Sequence, residues 1–267
     1  MDKLPILKSL DSVKIFYEVI GEGDISLVLI GGLGAPTGRV CWRNQLKYAV
    51  KYKLVLIDLA GHGRSGKNRE KYTMELYGQD IKTVVESLDL DKIIILGWSL
   101  GGAAVLESEL LLSDRIIGII PIDSLFPNSM YTKMDEETIK GVIRPYEDDF
   151  VKAYDELIDS FISDKFDSKE IEFLHSQTPK LDARSMISAL AELARWNMLD
   201  ILPKVKSPIK SIIAERTIQY YPKEEYEKYF DAVYVKGVGH LLSWEDPEAF
   251  NEVLSQLIEE FLTTYSF

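Results

Sequence analysis

The 267-residue chain predicts an α/β fold, a mostly parallel sheet carrying a helical insertion, on three observations. Short apolar, β-branched runs alternate with longer amphipathic stretches, the pattern of parallel strands joined by helical crossovers. Between Ser124 and Pro203 that alternation stops, and helical periods continue without a convincing strand. One strand-like run also ends in a glycine-flanked serine that opens a helix, a reversal that exposes a side chain at a sheet edge.

Taken in chain order, Ile6-Leu10 and Val13-Val19 read as an antiparallel pair. They are followed by strands at Leu27-Ile30, Leu54-Asp58, Lys92-Leu96, Arg115-Ile122, Ile209-Ala214 and Ala232-Val235. Residues 1–123 and 204–267 form the expected core, and 124–203 the expected helical lid. Within the lid, Phe150, Tyr154, Leu157, Ile158 and Phe161 share one helix face, and Met186, Ile187, Leu190, Leu193 and Ala194 another. Some of this apolar surface is expected over the C-terminal strand edge, where open α/β sheets bind ligands.

Composition excludes more than it selects. A formal charge of −12, from 31 basic and 43 acidic side chains, repels phosphate backbones and anionic headgroups, so neither nucleic acid nor a membrane is an expected partner. Cys41 is the single cysteine, and with His62, His175 and His240 it offers no metal-ligand spacing; no metal or cofactor is expected. The N-terminus MDKLPILKSLDSVK lacks an apolar h-region and no stretch is long enough to span a bilayer, so the expected location is the cytoplasm.

The strongest chemical signal is Gly97-Trp98-Ser99-Leu100-Gly101, which follows the run KIIIL and opens the helix GGAAVLESELLL. A strand-to-helix turn this tight needs glycines on both sides of the serine. Ser99 Oγ then stands at a helix N-terminus, where free N–H groups favour a developing oxyanion, with the Leu100 amide as first donor. The loop Gly31-Gly32-Leu33-Gly34 offers a second, at Leu33; it lacks the spacing of a phosphate-binding loop. His240, in Lys236-Gly237-Val238-Gly239-His240 after the last strand, is placed to act as general base. His62, in Gly61-His62-Gly63-Arg64-Ser65, reads as turn structure near the site mouth, and His175 as a lid surface residue.

Together GGLG, GHGRS, GWSLGG and GVGHLLSWEDPEAF stand in the order and spacing of the α/β-hydrolase superfamily, and over essentially its whole length the chain resembles lidded carboxylesterase-type members. That resemblance implies a Ser-acid-His triad, no cofactor and an acyl-enzyme. Two positions depart from it. Gly31 stands where many relatives begin the oxyanion loop with histidine, and Thr217 occupies the usual position of the triad acid after the seventh strand. Asp123, at the end of the sixth strand, and Glu215 are the carboxylates that could replace that acid. Asp123 is preferred because that strand end abuts the histidine loop, and some family members place their acid there.

The resulting expectation is a serine hydrolase that cleaves a small-molecule carboxylic ester through an acyl-enzyme on Ser99. Lactones, thioesters, amides and C–C bonds lie within reach of the same apparatus, and a slow-turnover ligand-sensing receptor is the alternative of a different class. Trp42, Trp98 and Leu100 are candidates to line an acyl pocket. Asp135, Glu136, Glu137, Glu147, Asp148 and Asp149 could attract a cationic substrate or simply form a solvated face.

Overall fold

The computed structural model describes residues 6–264; Met1 to Pro5, where the N-terminal segment above begins, and the last three residues lie outside it. Eight strands form one sheet: β1 (Ile6–Lys8), β2 (Lys14–Ile20), β3 (Ser26–Ile30), β4 (Lys53–Asp58), β5 (Ile93–Trp98), β6 (Ile116–Ile122), β7 (Lys210–Ala214) and β8 (Asp231–Val235). Their spatial order is β1-β2-β4-β3-β5-β6-β7-β8. The β1-β2 and β2-β4 pairings are antiparallel and the rest parallel. All eight runs expected from the sequence are strands, with ends shifted by a few residues.

Why these runs pair as they do follows from burial. All five residues of β3 are buried, the signature of a strand covered on both faces. Val28 and Ile30 face one core cluster, with α2 (Met74–Ser87) and α3 (Leu100–Leu112). Leu27 and Leu29 face the other, with α11 (Pro247–Thr264). Helix α3 is buried almost all round, and its two glutamates each take internal donors through Oε1, while Glu109 Oε2 is buried without a partner. Glu107 Oε1 accepts from Trp196 Nε1 at 2.6 Å, and Glu109 Oε1 accepts from the Lys206 and Ser207 amides.

Strand β3 is flanked by β4 on one side and β5 on the other, so the chain turns in opposite directions after β3 and β5. Such a switch point leaves a crevice at the C-terminal strand ends. The glycine loop after β3 and Ser99 after β5 both open onto it.

The segment between β6 and β7 contains no strand. Its helices are α4 (Glu136–Asp148), α5 (Phe150–Phe161), α6 (Ser168–Gln177), α7 (Ala183–Arg195) and the single turn α8 (Met198–Ile201). Each of the first four starts behind an aspartate whose carboxylate accepts an amide of the first turn: Asp135, Asp149, Asp167 and Asp182. Tyr154, Ile158, Ile162, Phe166 and Leu174 pack with Leu241 and Trp244 of the C-terminal core, which fixes this segment over the strand ends. Further single-turn helices, α1 (Gly38–Cys41), α9 (Lys223–Tyr226) and α10 (Leu242–Glu245), lie in the connections.

Candidate active site

Ser99 sits between β5 and α3 with φ 53° and ψ −124°, a left-handed backbone that a side-chain-bearing residue adopts only under constraint. The constraint is local packing. A Cβ on Gly97 would meet the Gly101 carbonyl oxygen at 2.4 Å, and one on Gly101 would lie 2.8 Å from the Ile30 and Gly31 oxygens. Ser99 N donates to Ile122 O at 2.9 Å, and Ser99 O accepts from Gly102 N at 2.9 Å and Ser124 Oγ at 2.5 Å, so the turn is held from β6 as well.

Asp123 ends β6, fully buried and also with positive φ, 43°. Its carboxylate accepts three hydrogen bonds. Oδ1 takes Ala214 N at 3.0 Å, while Oδ2 takes Thr217 Oγ1 at 2.9 Å and His240 Nδ1 at 2.6 Å. Several donors fix a buried carboxylate in orientation. Thr217, at the position where the family resemblance places an acid, is thus a donor to the acid of the neighbouring strand. Glu215 does not reach the histidine; it is exposed and accepts from Gly237 N at 3.0 Å.

His240 leaves Nε2 for the cavity, since Nδ1 is engaged by Asp123. Trp98 Nε1 donates to His240 O at 2.9 Å, and the Trp98 and Phe161 rings lie 5.3 and 4.6 Å from the imidazole. Ser99, Asp123 and His240 all border one cavity of about 480 Å³. Leu33 and Leu100 line it too, and among the described residues neither of their amides donates to a protein acceptor.

Aliphatic and aromatic side chains make most of the wall, including Trp98, Leu157, Ile158, Leu190 and Leu193. Tyr131, from the loop before α4, turns its hydroxyl toward the side chains of Ser99 and Ser124, and burial pushes its pKa well up, so it remains a neutral donor. Among the described residues Arg216 is the one guanidinium or ammonium group in the wall, and its Nη1 lies 3.4 Å from Asp164.

Several residues singled out from the sequence lie elsewhere. Trp42 is not in the wall; it is a core residue, 1% exposed, in the cluster with Leu54, Leu56 and Phe250. His62 does not stand at the mouth of this cavity. It is buried behind the glycine loop, where a small second cavity lies between it, Asp58 and Gly31-Gly32, and burial lowers its pKa to about 4. The six acidic residues singled out, Asp135 to Glu137 and Glu147 to Asp149, are all exposed and none lines the cavity; Asp135 and Asp149 cap helices and Glu136 pairs with Arg195 at 2.8 Å. His175 bonds Asp159 on the neighbouring helix at 3.0 Å. Burial also pushes the Cys41 thiol up. Among the described residues no group of three or more His, Cys, Asp or Glu is arranged to hold a metal ion, and no helix is long and apolar enough to cross a membrane.

Sequence reasoning missed Tyr131 and Tyr154 as site residues. Tyr154 carries a signal only in company, because it belongs to the apolar stripe of α5 yet ends in a hydroxyl that must find a partner when buried.

A strand-elbow-helix serine, an aspartate-held histidine on the last strand's loop and a helical insertion above them define a hydrolase-type α/β architecture. Residues 27–253 match the Alpha/beta hydrolase family, and the chain belongs to that family. A 2-hydroxy-6-oxononadienedioate/2-hydroxy-6-oxononatrienedioate hydrolase from Escherichia coli is 24% identical over 260 residues, covering 91% of this chain and 90% of the relative. An esterase from Exiguobacterium antarcticum superposes with a TM-score of 0.81 at 19% identity, over 96% of this chain and 100% of the other. The enol-lactonase from Burkholderia xenovorans does so with a TM-score of 0.81 at 18% identity, over 97% and 100%.

Proposed function

We propose that the protein is a serine hydrolase acting on a carboxylic ester or lactone with an uncharged, largely apolar acyl part, and that Ser99, His240 and Asp123 are its triad. The carrying observation is the 2.6 Å contact between a buried Asp123 and His240 at the wall of an apolar cavity that Ser99 also lines. In this reading Ser99 Oγ attacks the acyl carbon while His240 Nε2 takes the hydroxyl proton. The carbonyl oxygen becomes an oxyanion facing the Leu33 and Leu100 amides, and Asp123 stabilises the imidazolium. His240 then protonates the leaving oxygen. Water, deprotonated by the same nitrogen, releases the acid from Ser99. The insertion acts as a lid that keeps bulk water from the acyl chain.

C–C bond cleavage in a dioate of the kind named for the Escherichia coli relative is the second reading. The diacid in that relative's name carries two carboxylates, and burying them requires cationic partners. Arg216, already facing Asp164, is the only such group in the wall among the described residues, which favours an uncharged acyl substrate. The decisive experiment couples fluorophosphonate labelling to multiple-turnover hydrolysis of short- and medium-chain p-nitrophenyl esters. Both should disappear in Ser99→Ala. A wild type that neither labels nor turns over would refute the hydrolase reading and favour a ligand-sensing role.

A further inference from the structure

Helix α5 touches both loops that carry the site, and it does so where those loops have glycines. Near its start the Tyr154 hydroxyl donates to Leu33 O at 2.6 Å, in the loop after β3. At its end Phe161 O accepts from His240 N at 2.7 Å, in the loop after β8. A Cβ on Gly34 would lie 2.1 Å from the Tyr154 hydroxyl oxygen, and one on Gly239 would lie 2.2 Å from Phe161 O. Both glycines therefore clear space for the helix. Glu245 Oε2 reinforces the second junction by accepting from Gly239 N at 2.9 Å and from Ser163 N, just beyond α5, at 3.1 Å.

The first junction bears on the oxyanion donor. Ala35 N donates to Gly32 O at 3.2 Å, which makes Gly32 to Ala35 a turn with Leu33 at its first corner and Gly34, at φ 63°, at its second. A loop of three glycines has soft dihedrals, and the Leu33 N–H belongs to the Gly32–Leu33 peptide, whose carbonyl takes the Ala35 N–H and which the turn thereby ties to its next peptide, Leu33–Gly34. The Tyr154 hydroxyl fixes that peptide plane. Burial pushes the phenol's pKa well up, so it remains a donor throughout the neutral range.

We propose that Tyr154 is a positioning residue that orients the Leu33 amide toward the oxyanion, so that the donor loop is set only while α5 is seated on it. The proposal rests on the triad reading above. It connects the insertion to the rate of the chemical step and not merely to substrate access.

Tyr154→Phe removes the hydroxyl and keeps the ring. With kcat normalised to sites titrated by fluorophosphonate, it should fall about tenfold while KM stays nearly constant, because an oxyanion donor acts in the transition state and not on bound substrate. Affinity for a trifluoromethyl ketone, whose hemiketal oxyanion takes the same donors, should fall by a similar factor. Gly34→Ala, which forces the phenol away, should repeat the pattern. Asp155→Ala, which removes the 2.6 Å bond from Thr178 to α5 without touching either loop, should lower the unfolding temperature and leave kcat unchanged. A Tyr154→Phe enzyme with wild-type kcat, or with lower kcat but unchanged ketone affinity, overturns the proposal. Loss of turnover in wild type, or its persistence in Ser99→Ala, instead removes the triad reading, and the proposal falls with it.

Discussion

His62 and His240 occupy similar sequence settings and opposite physical ones. Each follows a strand of the same sheet in a glycine-bearing loop, His62 after β4 and His240 after β8. The His62 Nδ1 faces its own loop, at the Ala60 carbonyl 3.1 Å away, its Nε2 is buried without a partner, and its ring meets Tyr77 edge-on at 6.1 Å. His240 has a buried carboxylate on one nitrogen and a cavity at the other. A histidine near a strand end becomes a base through a carboxylate that can stabilise its cation and through access to substrate, and loop composition supplies neither.

The most severe test of that contrast is His240→Ala. Removing the base should lower kcat about 10⁴-fold or more, measured on p-nitrophenyl esters at saturation. A loss below about tenfold would mean that His240 is not the base and that the contrast with His62 has no catalytic content.

Asp123→Asn should come next, at roughly 10⁴-fold. Ala214 N–H points at Oδ1, so the new amide must turn its NH₂ toward Thr217 and His240. That NH₂ would donate to Nδ1 and force the proton onto Nε2, the nitrogen required to accept from Ser99. Glu215→Gln, measured in parallel, should leave kcat unchanged, and the reverse ranking would transfer the acid role to Glu215. A smaller effect belongs to Thr217→Val. Losing one neutral donor to a carboxylate that keeps two others should lower kcat roughly fivefold, about the worth of one hydrogen bond.

The same contrast explains what was legible in the sequence. Strand β3 and strand β5 are continuous apolar runs whose pattern survives any tertiary context, and all the expected strands form. The single turns α1 and α10, four residues each, are too short to carry a helical period, so the region around Trp42 reads as pocket wall when it is core. Ser99 advertises its position because the elbow constrains its immediate neighbours. Asp123, Thr217, Tyr131 and Tyr154 come together only through strand order and the folding back of the insertion, and no local pattern encodes distances across 94 or 121 residues. His62 and His240 look alike in sequence for that same reason.

The smallest catalytic effect, and the sharpest physical contrast, is expected at His62. Burial, assisted by Lys67 and opposed by its contact with the Ala60 carbonyl, lowers its pKa to about 4. Between pH 6.5 and about 4 the unfolded chain therefore binds a proton at this residue that the folded chain refuses. Stability contributed by the neutral form is complete above pH 6.5 and declines as pH falls toward 4, by on the order of 3 kcal/mol across the window. Asp58, whose pKa burial raises, works in the opposite direction, but it is present in both proteins of a matched pair. His62→Asn should hence be less stable than wild type at pH 7, with the gap narrowing at pH 4.5 in urea unfolding, and its kcat per titrated site should match wild type. A gap independent of pH would mean that the buried imidazole titrates normally. A large fall in kcat would mean instead that the small cavity behind the glycine loop, between His62 and Gly31-Gly32, transmits strain to the Leu33 amide.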